Sequence, residues 1–585
     1  MKKDLFRIAY IDLSTYTFEI KDRSDLASFV GGSGLALALF AEEVLPEAEP
    51  LAPEQPIIFA NGQFSSRFPS ASQVAAVFRS PLTGYLGESF AGGNLATAMF
   101  LAGFDAIVIK GRSPRPAMIS IGPRIIHIRK MDPLHGTGTE EAYRQLYDLE
   151  PSLGFRSLVL TGQAGERTVA FAGLNADRYW NFGSGAGAVF GSKNLKALVV
   201  YGDLSPAIPE PIVADYRKIF ENIHNRMVHS ELMPRLHTLG TVHTLERIHA
   251  SGSLPTRNMT EANYEFAQEF TAESLARQHL ARQVSCTGCP IGCIHIAHHR
   301  RMFGSDSLEY EESHLAYDFD AVLAFGPMLG TKTADDLFAL LEKSVSYGLD
   351  PAHTGITLAW LTEAFQNSLI SSADIGTPVD FGYVEGYLQV LDGIVGQPND
   401  FYKALARGLA YAAAKYGGQE YALQIGAVPF EGVSRYTTLL MQLAGVHHNQ
   451  SPTASSHRSI DPPPARKVAN DAIDAGALAM IMDSLGICYL TRDLYDMKTV
   501  SRALRAIGSK ASQSHLWHKA YELFIFREII NRELGFNAQN VDPPLRLFTS
   551  PASSEYLNRD SWAEITKTWQ DRMDTMIERS GITIG

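Results

Sequence analysis

The sequence predicts an α+β chain, β-rich over roughly its first 200 residues and mainly helical beyond them. Three observations carry this. Short apolar or alternating runs, punctuated by Gly and Pro, crowd the first part. Helix-period patterns dominate the rest. Between them Leu204-Ser-Pro-Ala-Ile-Pro-Glu-Pro-Ile sets three prolines in six positions, a stiff extended connection.

The strands follow in order: Arg7-Ile-Ala-Tyr-Ile-Asp-Leu, Pro56-Ile-Ile-Phe-Ala, Ala106-Ile-Val-Ile-Lys and Ala197-Leu-Val-Val-Tyr. A helical patch, Gly34-Leu-Ala-Leu-Ala-Leu-Phe-Ala-Glu-Glu, is interleaved. After the proline-rich break, helix periodicity covers 213–250, 273–283, 332–347, 353–370, 401–416, 467–485 and 516–533. Gln397-Pro-Asn-Asp and Asp461-Pro-Pro-Pro read as turns between them. The expected division is 1–204, 205–425 and 426–585, and no internal repeat is visible.

At 585 residues the chain is long enough for two to four domains. Sixty-three acidic against 51 basic residues leave a net charge of −12, which argues against binding nucleic acid phosphates or anionic membrane. No apolar run approaches the ~18 residues of a membrane span. Met1-Lys-Lys-Asp-Leu-Phe-Arg has no signal-peptide core, so a cytoplasmic location is expected.

The chain has four cysteines, and this is the most useful number. Cys286-Thr-Gly-Cys289-Pro-Ile-Gly-Cys293 has C-x2-C-x3-C spacing, and Cys488 lies far downstream. Disulfide scaffolds do not look like this. Thiolates so close on a turn can converge on one metal centre. Three readings stand: buried free thiols, a zinc site completed by His295 or His298, or a [4Fe–4S] cluster with three local ligands and one distant. The last uses every cysteine. A lone cluster relays single electrons, so the chemistry then belongs to another cofactor.

Gly183-Ser-Gly-Ala-Gly-Ala-Val-Phe-Gly-Ser-Lys fits neither a dinucleotide fingerprint, which needs G-x-G-x-x-G, nor a phosphate loop, which needs Gly-Lys-Ser/Thr. Gly31-Gly-Ser-Gly and Phe90-Ala-Gly-Gly are similar segments, each read as a turn before a binding site.

Taken together, the strings Val30-Gly-Gly-Ser-Gly-Leu-Ala, Ser80-Pro-Leu-Thr-Gly, Ala102-Gly-Phe-Asp-Ala, Gly187-Ala-Val-Phe-Gly-Ser-Lys-Asn-Leu-Lys, the cysteine motif and Asp483-Ser-Leu-Gly-Ile-Cys resemble the tungsten-dependent aldehyde:ferredoxin oxidoreductases. The resemblance implies a β-rich first domain cradling a tungsten (or molybdenum) held by two pterins, with Mg2+ bridging the pterin phosphates. Two largely helical domains would cover it. It implies Cys286, Cys289, Cys293 and Cys488 as ligands of the [4Fe–4S] cluster, Gly92, Gly183, Gly185 and Gly187 at the pterin phosphates, and Asp350, Asp483 and Gly486 in the two pterin motifs.

Three departures stand out. Val345 replaces the leading aspartate of the first pterin motif. Gln73 stands where the family has an arginine between cluster and pterin, with Arg67 and Arg79 as nearby substitutes. Ala339 to Glu342 replaces a Glu-x-x-His that bridges a subunit iron, so that metal is expected to be absent.

By the same resemblance Glu311 and His447, the latter beside His448, are the acid–base groups near the metal. The implied activity is oxidation of an aldehyde to a carboxylic acid, with electrons leaving through the cluster to ferredoxin or a small ferredoxin-like iron–sulfur subunit. A homodimer is an allowed assembly. Two rivals stand: a low-potential reductase of a carboxylic or aromatic thioester, and a scaffold subunit without metal. His298-His-Arg-Arg reads as a solvated charged turn or a docking surface for an acidic ferredoxin.

Overall fold

The computed structural model describes residues 5–149, 154–204, 210–302, 309–426, 428–429, 436–445, 463–509, 511–553 and 557–584. The expected strands form within one or two residues of their predicted limits, because each is built on a largely buried apolar run. They belong to two six-stranded sheets. In the first, β1 (Phe6–Asp12) and β2 (Thr17–Arg23) make a hairpin. β3 (Ile57–Asn61), β4 (Val74–Arg79) and β5 (Leu86–Ala91) make an antiparallel meander. β6 (Ala106–Lys110) inserts between the two, parallel to β1 and antiparallel to β3.

The second sheet repeats this path. β7 (Ala117–Ile121) and β8 (Ile126–Lys130) are the hairpin, and β9 (Phe155–Thr161), β10 (Leu174–Ala176) and β11 (Trp180–Phe182) the meander. β12 (Leu195–Gly202) inserts parallel to β7 and antiparallel to β9. The strand orders, β2-β1-β6-β3-β4-β5 and β8-β7-β12-β9-β10-β11, are the same. Helices correspond too: Gly32–Glu43 and Thr139–Leu149 follow the hairpins, while Leu95–Ala102 and Ala186–Ser192 precede the inserted strands. The sequence hides this duplication, since pairing order depends on backbone geometry that very different side chains can support.

Helices dominate beyond residue 210. Ala334–Tyr347, Pro351–Gln366, Ala465–Leu485 and Gln513–Glu533 agree with the predicted periods. The proline-rich boundary at 205–209 and much of the second boundary near 425 lie outside the described residues. One expectation fails. Between Leu280 and Tyr317 the chain makes a three-stranded antiparallel sheet, β13 (Leu280–Val284), β14 (Ile294–Met302) and β15 (Tyr310–Tyr317), where helix was expected to run through 273–283. Its strands are rich in His, Arg and Glu, so no apolar alternation announces them.

Glycines set how closely the late helices approach the first sheet. A Cβ on Gly32 would lie 2.3 Å from the Asp483 carbonyl oxygen, and one on Gly62 would lie 2.2 Å from the Gly486 nitrogen. Gly486 itself caps Ala465–Leu485 in the left-handed region, φ 79°. Gly31-Gly-Ser-Gly is therefore a packing surface, and it is what seats the turn carrying Cys488.

Candidate functional site

Residues 69–73 tie the four cysteines together. The Cys488 amide donates to Ser70 O (3.0 Å), the Ser70 amide donates to Gly288 O (3.2 Å), and the Ser70 hydroxyl lies 3.0 Å from Cys289 Sγ. The Gln73 amide donates to Gly486 O (3.2 Å). Burial pushes the Cys286, Cys293 and Cys488 thiols up, and the charges of neighbouring cysteines push each further. Four thiols brought to one place resist ionising together unless a cationic centre compensates them. Among the described residues no group of three His, Cys, Asp or Glu side chains is spaced for a single ion. His295, a candidate zinc ligand, is instead buried, with Nε2 2.9 Å from the His237 carbonyl.

Cys286, Cys293 and Cys488 open onto a cavity of about 750 Å³ between the sheets and the helical part. The two sheets present equivalent strand-to-helix loops to it. Gly92 follows β5 and Gly183 follows β11. A Cβ on Gly92 would lie 2.5 Å from Cys286 Sγ, and one on Gly183 would lie 2.3 Å from Asp350 Oδ2. A side chain at position 92 would press on the Cys286 sulfur, and one at position 183 would have to displace the Asp350 carboxylate. Gly185 and Gly187 face inward instead, against the Ala170 and Gly173 carbonyls, and serve packing.

Gln73 Oε1 is one of the buried polar atoms without a hydrogen-bond partner among the described residues, and Gln73 borders the cavity. Trp180 also borders it and packs beside Gly92 and Cys286, its indole hydrogen-bonding the Cys286 sulfur. An orphaned acceptor in a cavity edged by thiols and glycine loops fits a bound polar cofactor there. Arg67 and Arg79 do not replace the family arginine. Arg67 donates to Gln63 O and stacks on Phe100, and Arg79 donates to Gly84 O. Arg492 ion-pairs with Asp483, and its charge acts on Cys488. Sequence reasoning passed over it, although it stands four residues past Cys488. Asp483, held by that pair, is buried away from the cavity wall, and its pKa is raised to about 6, chiefly by burial.

The acid–base side differs from the sequence expectation. Glu311 sits on β15 at the cavity rim, with 57% of its side chain exposed and 3.2 Å from Arg301, its cross-strand neighbour. His447 and His448 lie outside the described residues. Asp318, Asp320 and Asp350 also line the cavity, Asp318 with its carboxyl accessible from it. Asp318 caps Phe319–Phe325, its Oδ1 accepting from the Ala321 amide at 2.9 Å. Burial, with Asp350 adding, raises its pKa. Asp350 caps Pro351–Gln366, accepts from the His353 amide at 3.1 Å and lies 3.3 Å from His353 Nδ1. Burial alone would raise its pKa, but the His353 contacts outweigh it and the net shift is down. Two carboxyls tuned apart across one cavity can divide acid–base work. Tyr489, next to Cys488, feels the charges of Asp320 and Asp318 and stands between them and the cysteines. Val345 leaves its stretch of wall apolar. The His298–Arg301 segment is neutralised: Arg300 pairs with Glu312, Arg301 with Glu311 and Glu342, and His299 is buried beside Glu342.

Comparison with known proteins matches residues 8–202 to the aldehyde ferredoxin oxidoreductase N-terminal domain and residues 218–579 to domains 2 and 3 of the same enzymes. A tungsten-containing aldehyde ferredoxin oxidoreductase of Pyrococcus horikoshii is 30% identical over 406 residues, 67% of this chain and 64% of that relative. One from Pyrococcus furiosus is 29% identical, covering 72% of this chain and 68% of its own. An aliphatic sulfonate oxidoreductase, WOR-like subunit, from the same organism is 25% identical over 67% of this chain and 63% of its own. The active-site complex BamBC of benzoyl coenzyme A reductase, solved with 1,5-dienoyl-CoA, superposes with a TM-score of 0.81 over 99% of both chains at 20% identity.

Proposed function

The chain belongs to the aldehyde ferredoxin oxidoreductase family, and from that premise we propose that it oxidises an aldehyde to a carboxylic acid. It would use a tungsten (or molybdenum) bis-pterin and one [4Fe–4S] cluster, and pass electrons to ferredoxin or an iron–sulfur subunit. One observation carries this: three of the four cysteines, both glycine loops and the tuned carboxyls border a single cavity. The metal–pterin, when bound, supplies two-electron chemistry that the cluster can drain one electron at a time.

The chain's own residues do the rest. Gly92 and Gly183 let backbone approach the cofactor, Gln73 Oε1 offers an acceptor, and Cys286, Cys289, Cys293 and Cys488 hold the cluster. Converting an aldehyde and water to an acid releases two protons. Asp318, open to the cavity with a raised pKa, accepts one as it forms, while Asp350 stays ionised and orients His353. Glu311 at the rim hands protons on to solvent.

Asp318→Asn should lower kcat by about a hundredfold or more. In the parent protein activity falls as pH drops through the Asp318 pKa, because the protonated carboxyl cannot accept; the variant loses that limb. Metal analysis, cluster EPR and aldehyde-dependent viologen reduction on anaerobically purified protein test the whole reading, and protein without tungsten, molybdenum or iron would sink it.

A second reading, reduction of a carboxylic or aromatic thioester with the same cofactors, draws on the match to the benzoyl coenzyme A reductase complex over the full length of both chains. Viologen-driven consumption of a thioester without aldehyde turnover would favour it.

A further inference from the structure

A second depression, of about 530 Å³, lies on the outer side of Trp180. Trp180, with Arg144, Arg178 and Tyr179, lines both this depression and the inner cavity, and its indole lies beside Cys286. Ser285, exposed and adjacent to Cys286, completes that edge, and the cysteine loop surfaces again at Gly288. Arginine and tyrosine make most of the remaining wall, with Asn94, Asp148, Asp177 and Val284. Arg282 donates to the Tyr179 hydroxyl (2.6 Å) and has no carboxylate partner among the described residues. Tyr147, a wall residue 48% exposed, is backed by Arg156, which stacks 3.5 Å over its ring without lining the depression. Of the facing carboxylates, Glu140 is shared by Arg144 and Arg178, and Asp177 accepts from Asn94, Ser157 and Leu158. Asp148 remains exposed.

We infer that this depression is the electron exit, a docking surface for a small acidic iron–sulfur protein. The inference rests on the proposed reading of the four cysteines as a cluster site. A chain of net charge −12 repels an acidic partner over most of its surface, so a local set of arginines steers the encounter to one place. Tyr, Trp and Arg are also the side chains that most often anchor interfaces. In each encounter one electron passes from the reduced cluster of this chain to the oxidised cluster of the partner, with no bond made or broken. A two-electron oxidation needs two encounters.

The test measures the dissociation constant for a small acidic ferredoxin carrying two [4Fe–4S] clusters, using anaerobically purified holoprotein at low and at high salt. Arg282→Glu should weaken binding by about tenfold or more at low salt and flatten the salt dependence. Tyr147→Ala should weaken it severalfold. Arg579→Glu, the same charge change on the C-terminal helix, should stay within about twofold. Iron content and viologen-linked turnover should be unchanged in Arg282→Glu. Equal effects of Arg282→Glu and Arg579→Glu, affinity indifferent to salt, or no binding by the parent protein would overturn the inference. Iron and viologen turnover are read on the same samples. Their absence from the parent protein would count against the cluster reading, and their presence without ferredoxin binding against this surface.

Discussion

The two six-stranded sheets have one topology and two surroundings. Each ends its meander in a glycine loop that enters the same cavity, yet Gly92 abuts Cys286 and Gly183 abuts Asp350. Each sheet also carries a buried ion pair. Arg527 joins Glu88 on β5 to Glu528 and donates to the Ala444 and Gly445 carbonyls, while Lys196 on β12 pairs with Glu166. A duplicated scaffold thus offers two equivalent backbone loops, and what packs against them differs: a thiol at one and a carboxylate at the other.

Cysteine loss breaks the comparison most severely. Cys488→Ser should lose at least one of the cluster's roughly four irons per chain and lower dye-linked turnover, since it removes one of the four thiolates. Full iron retention would show that the late turn does not complete the site.

Paired glycine substitutions sharpen it. Gly92→Ala and Gly183→Ala each force a Cβ into a contact under 3.0 Å, with an overpacking cost of about 1–3 kcal/mol. The first should cost iron and distort the EPR signal, because the clash falls on a ligand sulfur that cannot move away. The second should leave iron intact and lower turnover, because a carboxylate can rotate. Identical effects on iron would erase the distinction.

The smallest effect concerns the brace on the first sheet. Burial raises the Glu528 pKa to about 7 from 4.5, Arg527 and Arg532 working against it. The folded state therefore holds this proton to higher pH than the unfolded chain. The stability this contributes is complete below about 4.5 and is lost as pH rises through about 7. Melting temperature should decline across that window, and Glu528→Gln should flatten the decline by an amount equivalent to about 1–3 kcal/mol. A parent curve with no slope there would remove Glu528 from the account.

Legibility varied with the kind of signal. The C-x2-C-x3-C run was readable because its ligands are covalent neighbours, and the strands at 57–61 and 106–110 because buried apolar runs can do little else. Glu311 was placed by aligning a short acidic string. The polar hairpin β14–β15, which no hydrophobic period reveals, puts that string on a strand at the rim and Asp318 just past it on the cavity wall. Arg492 was missed because an arginine in a polar stretch looks like solvated surface until its aspartate is found buried beside it.

By itself the sequence determined an α+β chain, its four-cysteine constellation and its family, all of which depend on local composition, spacing and ordered strings. Only the tertiary structure decided that two sheets are copies of one path, that Gly31-Gly-Ser-Gly packs a turn instead of holding an anion, and which carboxyls face the cavity. The reason is distance along the chain. A contact such as Gly62 against Gly486 costs loop entropy and returns packing only once both ends are in place, so no window of sequence contains it.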